Sequence, residues 1–132
     1  MKYRNGYKYQ LYEDESFITG IYGKHIKTDF IELFPNGVLM GRKGYAWDGA
    51  SGPTLDTKNS MRPSLGHDIG YQLIREGLLD ADYKDVFDGL FYLWLRADGM
   101  NHIRSYLWFK AVSMFAGEAC KPENDRKILE AP

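Results

Sequence analysis

Apolar and polar positions change rhythm once along this chain. Over the first ~45 residues Tyr, Ile, Phe, Val and Thr recur in short runs broken by Gly-containing turns, the pattern of short strands. The runs predict strands over Tyr7 to Tyr12, Phe17 to Tyr22, Thr28 to Phe34 and Val38 to Lys43. Between the last two lies Pro35-Asn36-Gly37, and an Asn-Gly pair supplies the positive φ angles of a tight hairpin. From about residue 60 the spacing becomes helical. A first helix is expected from Asn59 or Ser60, either a good N-cap, to a stop at Gly77, with Pro63 tolerated in the first turn. A second runs from Asp80 or Asp82 to Gly99, with Phe87, Leu90, Phe91, Trp94 and Leu95 on one broad face. A third runs from about Asn101 to Ala116.

Strands followed by helices, rather than alternating with them, predict an α+β fold: a small N-terminal antiparallel sheet packed on a three-helix C-terminal half. Residues 1–117 are expected to form a single domain and 118–132 a polar C-terminal tail. The two halves are joined by GYAWDGASGPTLDT, Gly44 to Thr57, a loop dense in Gly, Pro and Asp. Loops of this length commonly carry function, and the alternative is a connector anchored by Trp47.

Composition narrows the classes of function. Seventeen basic and eighteen acidic residues leave a net charge of −1, which argues against nucleic acid or an acidic membrane surface as partner. No stretch approaches the ~18 apolar residues of a spanning helix, the N-terminus lacks the apolar core of a signal peptide, and a lone Cys120 fits a reducing compartment. Synthesis in a cytoplasm is the expectation. The sequence sets no oligomeric state.

Candidate chemistry gathers in SLGHDIGYQLIREG, residues 64–77. His67 and Asp68 are adjacent, and Tyr71 follows one helical turn later, near both. Gly66 and Gly70 each cost helix propensity of ~1 kcal/mol relative to Ala, which implies that another segment's backbone approaches closely. A short loop after Gly77 makes the first two helices antiparallel neighbours, and counting outward from it places Asp88 level with Tyr71 and within about one ~5.4 Å turn of His67. His67, Asp88 and Tyr71 are therefore the candidate catalytic residues: an imidazole oriented by a carboxylate can take a proton from water near neutral pH. Asp68, with Asp48 of the Gly-rich loop, would offer oxygen ligands to a divalent cation, Ca²⁺ or Mg²⁺ before Zn²⁺. The same groups could instead be a structural network with no chemistry. Lys84 and Asp85 are read as parts of a solvated face.

The ordered set TDF (28–30), GYAWDGASGPT (44–54), SLGHDIGYQLIREGLL (64–79), FD (87–88) and FAG (115–117) resembles a phage and prophage family catalogued as domain of unknown function 1353. The resemblance implies a viral or prophage origin, and with it a host-cytoplasmic or virion-associated protein with a viral or host partner; it brings no established activity. A second resemblance is to secretory phospholipases, which carry H-D-x-x-Y on a helix. It implies His67 as base, Asp68 as Ca²⁺ ligand, Asp88 as orienting carboxylate and Tyr71 as its support, and hence a hydrolase of ester or lipid-like substrates. That family is dense in disulfides around the motif and its Ca²⁺ loop lacks WDGAS, whereas this chain has no cysteine there.

Overall fold

A computed structural model describes residues 3–4, 9–47 and 58–115. Among the described residues there are seven strands, β1 (Tyr3–Arg4), β2 (Tyr9–Leu11), β3 (Glu15–Ile18), β4 (Ile26–Lys27), β5 (Ile31–Leu33), β6 (Val38–Gly41) and β7 (Ala46–Trp47). They are followed by helices α1 (Lys58–Arg75), α2 (Tyr83–Ala97) and α3 (His102–Phe115). The expected α+β class holds: among the described residues every strand pairing is antiparallel and the three helices lie in the C-terminal half. The described residues group into two compact units, 3–47 and 58–115.

In the first unit the strands make two sheets, ordered β1-β2-β7 and β3-β6-β5-β4. The expected strand Thr28 to Phe34 is instead half of a hairpin. Thr28 turns the chain, its hydroxyl accepting from Ile31 N–H at 3.1 Å, so that β4 folds back on β5. Thr-Asp is a turn signal that the apolar run around it concealed. The expected hairpin forms, with Pro35, Asn36 and Gly37 connecting Phe34 to Val38. Gly37 has φ 88° and donates to Phe34 O at 3.0 Å, while Phe34 N–H reaches Val38 O at 2.8 Å. Part of the supposed loop is strand: β7 pairs with β2, and Trp47 is buried with its ring 5.5 Å from that of Tyr9. Leu11, Phe17, Ile31, Leu33 and Leu39 are the most deeply buried side chains of this unit.

The second unit is helical. α1 begins before either expected cap, so Asn59 and Ser60 lie inside it and Pro63 falls in its second turn. Its end is as read: Gly77, at φ 75°, donates to Ile74 O, and Leu78 N–H to Leu73 O, the paired bonds that satisfy terminal carbonyls around a left-handed residue. Gly99 closes α2 in the same way, through Gly99 N–H to Arg96 O and Met100 N–H to Leu95 O. Asn101 caps α3 by accepting from Arg104 N–H at 2.8 Å. Leu65, Ile69 and Leu73 of α1 are buried, as are Phe87, Phe91 and Leu95 of α2 and Trp108 and Val112 of α3.

Candidate functional site

Asp88 is where the helices meet chemically. Its Oδ1 lies 2.8 Å from His67 Nε2 and accepts from the Tyr71 hydroxyl at 2.5 Å, both from α1. Its Oδ2 accepts from Lys84 Nζ at 2.6 Å, one turn earlier on α2, and that ammonium also reaches the Ser113 carbonyl of α3 at 3.3 Å. One carboxylate thus links three helices. Asp88 is 1% exposed, Tyr71 2% and His67 4%.

Helix geometry explains the convergence. His67 and Tyr71 stack on one face of α1 at i,i+4, with ring centroids 4.0 Å apart, and Phe91 of α2 closes on the imidazole at 4.9 Å. Gly70 sits between them in sequence. A Cβ there would stand 2.3 Å from Phe87 Cδ1, so only glycine admits the α2 ring. Sequence reasoning expected a backbone at this face; the close neighbour is instead the Phe87 side chain.

Burial of Asp88 favours its neutral form, but the hydrogen bonds from His67, Lys84 and Tyr71 outweigh it and hold the carboxyl below its ordinary value. Burial likewise holds His67 below its usual 6.5, against the pull of Asp88 and with a small further push from Lys84. Near neutral pH the pair is therefore aspartate and neutral imidazole. An ionised carboxylate only accepts, so Nε2 must carry the ring proton and Nδ1 the lone pair.

His67, Tyr71 and Asp88 are brought together as the spacing predicts. Asp68 is half-buried and is not among the groups bonded to Asp88; its proposed co-ligand Asp48 lies outside the described residues. Among the described residues no group of three or more His, Cys, Asp and Glu is placed to hold a metal ion. Ser64 is turned to its own helix, donating to Met61 O at 2.8 Å. Lys84 was misread as part of a solvated face; its i,i+4 spacing to Asp88 was the available signal, and only Asp85 of that pair is exposed.

A second cluster, in the sheet unit, went unread. Glu32 of β5 is 6% exposed and meets Arg42 at 2.5 Å and His25 at 2.8 Å, while Arg42 also bonds Asp14 at 3.1 Å. The hydrogen bonds from His25 and then Arg42 hold the Glu32 carboxyl below its ordinary value. A glutamate between two buried aliphatic residues, as in Ile31-Glu32-Leu33, was the clue.

Fold and site together define an α+β protein whose helical unit is built around one buried, fully donor-satisfied carboxylate. No family model matches the chain, and no curated protein or solved structure matches it. No helix among the described residues is long and apolar enough to cross a membrane.

Proposed function

We propose that the chain is a small phage-encoded hydrolase of ester or lipid-like substrates in which His67 is the general base. The observation that carries this reading is the shared Oδ1 of Asp88, which accepts hydrogen bonds from His67 Nε2–H and the Tyr71 hydroxyl together. That arrangement fixes the ring and its tautomer, so Nδ1 is the atom that takes a proton from water as the water oxygen attacks an acyl carbonyl. The resulting imidazolium is stabilised by Asp88 and returns its proton to the leaving alkoxide, giving acid and alcohol. Tyr71 and Lys84 hold Asp88 in place and are positioning residues.

The test is hydrolysis of chromogenic acyl esters of graded chain length by the wild-type chain, His67→Gln and Asp88→Asn, with circular dichroism run on each. Loss of about 10²-fold or more in rate by folded His67→Gln is expected, in line with the contribution of a general base. No rate above buffer in the wild type, or equal rates in the variant, would sink the reading.

A second reading is favoured by the Lys84 bond to the same carboxylate and by the 4% exposure of His67. In it the network is a structural lock in a non-enzymatic phage accessory or virion-associated protein. Its signature is a fall in melting temperature on His67→Gln with no hydrolysis in any variant.

A further inference from the structure

The outer side of α2 and α3 is apolar where a monomer needs it least. Val86, Leu90, Leu93 and Ala97 repeat at spacings of four, three and four, a second helix-packing seam on the side of α2 away from buried Phe87, Phe91 and Leu95. Val86, Leu90 and Leu93, with Tyr106 and Phe109 of α3, border a groove of about 570 Å³. α3 is apolar on two sides: Trp108 and Val112 are buried, while Ile103, Leu107 and Met114 form an exposed ridge beside the groove. Gly89 lies in the groove lining, and no atom stands within 4 Å of where its Cβ would be. A mid-helix glycine costs helix stability, and nothing in the described chain requires this one.

We propose that this face is a homodimer interface in which the ridge of each copy enters the groove of the other. Groove and ridge lie side by side on one surface, as a two-fold interface requires of a self-complementary patch. Val86, Leu93, Ile103, Tyr106, Leu107 and Met114 are 41% to 69% exposed. At ~100 Å² each they offer roughly 600 Å², close to the ~800 Å² per partner of a stable interface. Charge agrees: Lys110 lies on the ridge between Leu107 and Met114, and Asp85 borders the groove. A net charge of −1 opposes self-association little. Gly89 lets the entering helix approach the α2 backbone.

Sedimentation of the full chain at about 50 µM should give twice the chain mass. Leu93→Glu and Leu107→Glu should each raise the dimer dissociation constant at least tenfold with unchanged circular dichroism, since both side chains are already exposed. Gly89→Leu should do the same by filling the groove from a Cβ position that is open within the described chain. Asp85→Lys and Lys110→Glu should each weaken the dimer, and together restore it. A monomer at that concentration overturns the proposal, as does a dimer that Leu93→Glu and Gly89→Leu both leave intact. A chain that dimerises only after removal of residues 118–132 also overturns it and assigns the groove to that segment.

Discussion

Between pH 7.5 and 5 the folded chain should lose stability chiefly through His67. The unfolded imidazole titrates near 6.5, and burial holds the folded one lower. Below 6.5 the unfolded state therefore binds a proton that the folded state refuses, and stability falls as pH falls. The slope for one such proton approaches ~1.4 kcal/mol per pH unit, so the loss across this window reaches about 2 kcal/mol if the folded ring stays neutral throughout. Asp88 adds nothing here, because its unfolded value is near 3.8; its contribution is present above that value and is lost only in stronger acid, as pH falls through its depressed folded value. The assay is urea unfolding at several pH values for the wild type and His67→Gln, which removes the titrating group. The wild-type midpoint should fall with pH relative to the variant's. Parallel profiles would show that the folded ring binds its proton as readily as the unfolded one, and a wild type that gains stability as pH drops would show an ion pair with Asp88; either would refute the reasoning.

Three further perturbations bear on the same site. Gly70→Ala should destabilise by up to about 2 kcal/mol in chemical denaturation, because overpacking against fully buried Phe87 at 2.3 Å exceeds the ~1 kcal/mol gained in helix propensity; a stabilised variant would mean that α2 yields freely. Lys84→Met should cost about 2 kcal/mol by removing a charged hydrogen bond from a carboxylate that keeps two donors, measured as a shift in urea midpoint at pH 7. The cation expected at Asp68 is checked by melting with millimolar CaCl₂ or MgCl₂: a rise in the wild type that Asp68→Asn loses supports it, and coincident curves dismiss it.

What was legible in the sequence was whatever spacing along one helix, or across one short turn, could fix. His67, Tyr71 and Asp88 follow from a four-residue repeat and a count from Gly77, and the Gly77 and Gly99 stops from left-handed caps. Lys84 was legible by the same i,i+4 rule, but a lysine beside exposed Asp85 reads as solvated until Asp88 is known to be buried. The β4–β5 hairpin and the pairing of β7 with β2 were not legible. The first depends on a Thr28 hydroxyl bond, and the second joins residues 36 or more positions apart, where local pattern carries no register. Glu32 was hidden for a related reason: its partners His25 and Arg42 sit on either side of it in sequence and meet it only through the sheet.

Lys84 separates the two functional readings more sharply than His67 does. An ammonium 2.6 Å from Asp88 offsets the charge with which that carboxylate would raise the basicity of His67, and it lowers the imidazole further. If His67 is the base of a hydrolase, its rate should stay level as pH falls through 6.5 and decline only below, following the depressed folded value rather than that of a free imidazole. Lys84→Met then removes the lowering influence and should move that acid limb upward in pH, while Lys84→Arg, which keeps the charge, should leave it near the wild-type position. A role confined to holding helices together would lower stability in Lys84→Met without moving any acid limb. The profile of kcat/KM against pH therefore reads the coupling of Lys84 to His67 directly, and a limb indifferent to Lys84→Met in a folded, active protein would place the titrating base elsewhere.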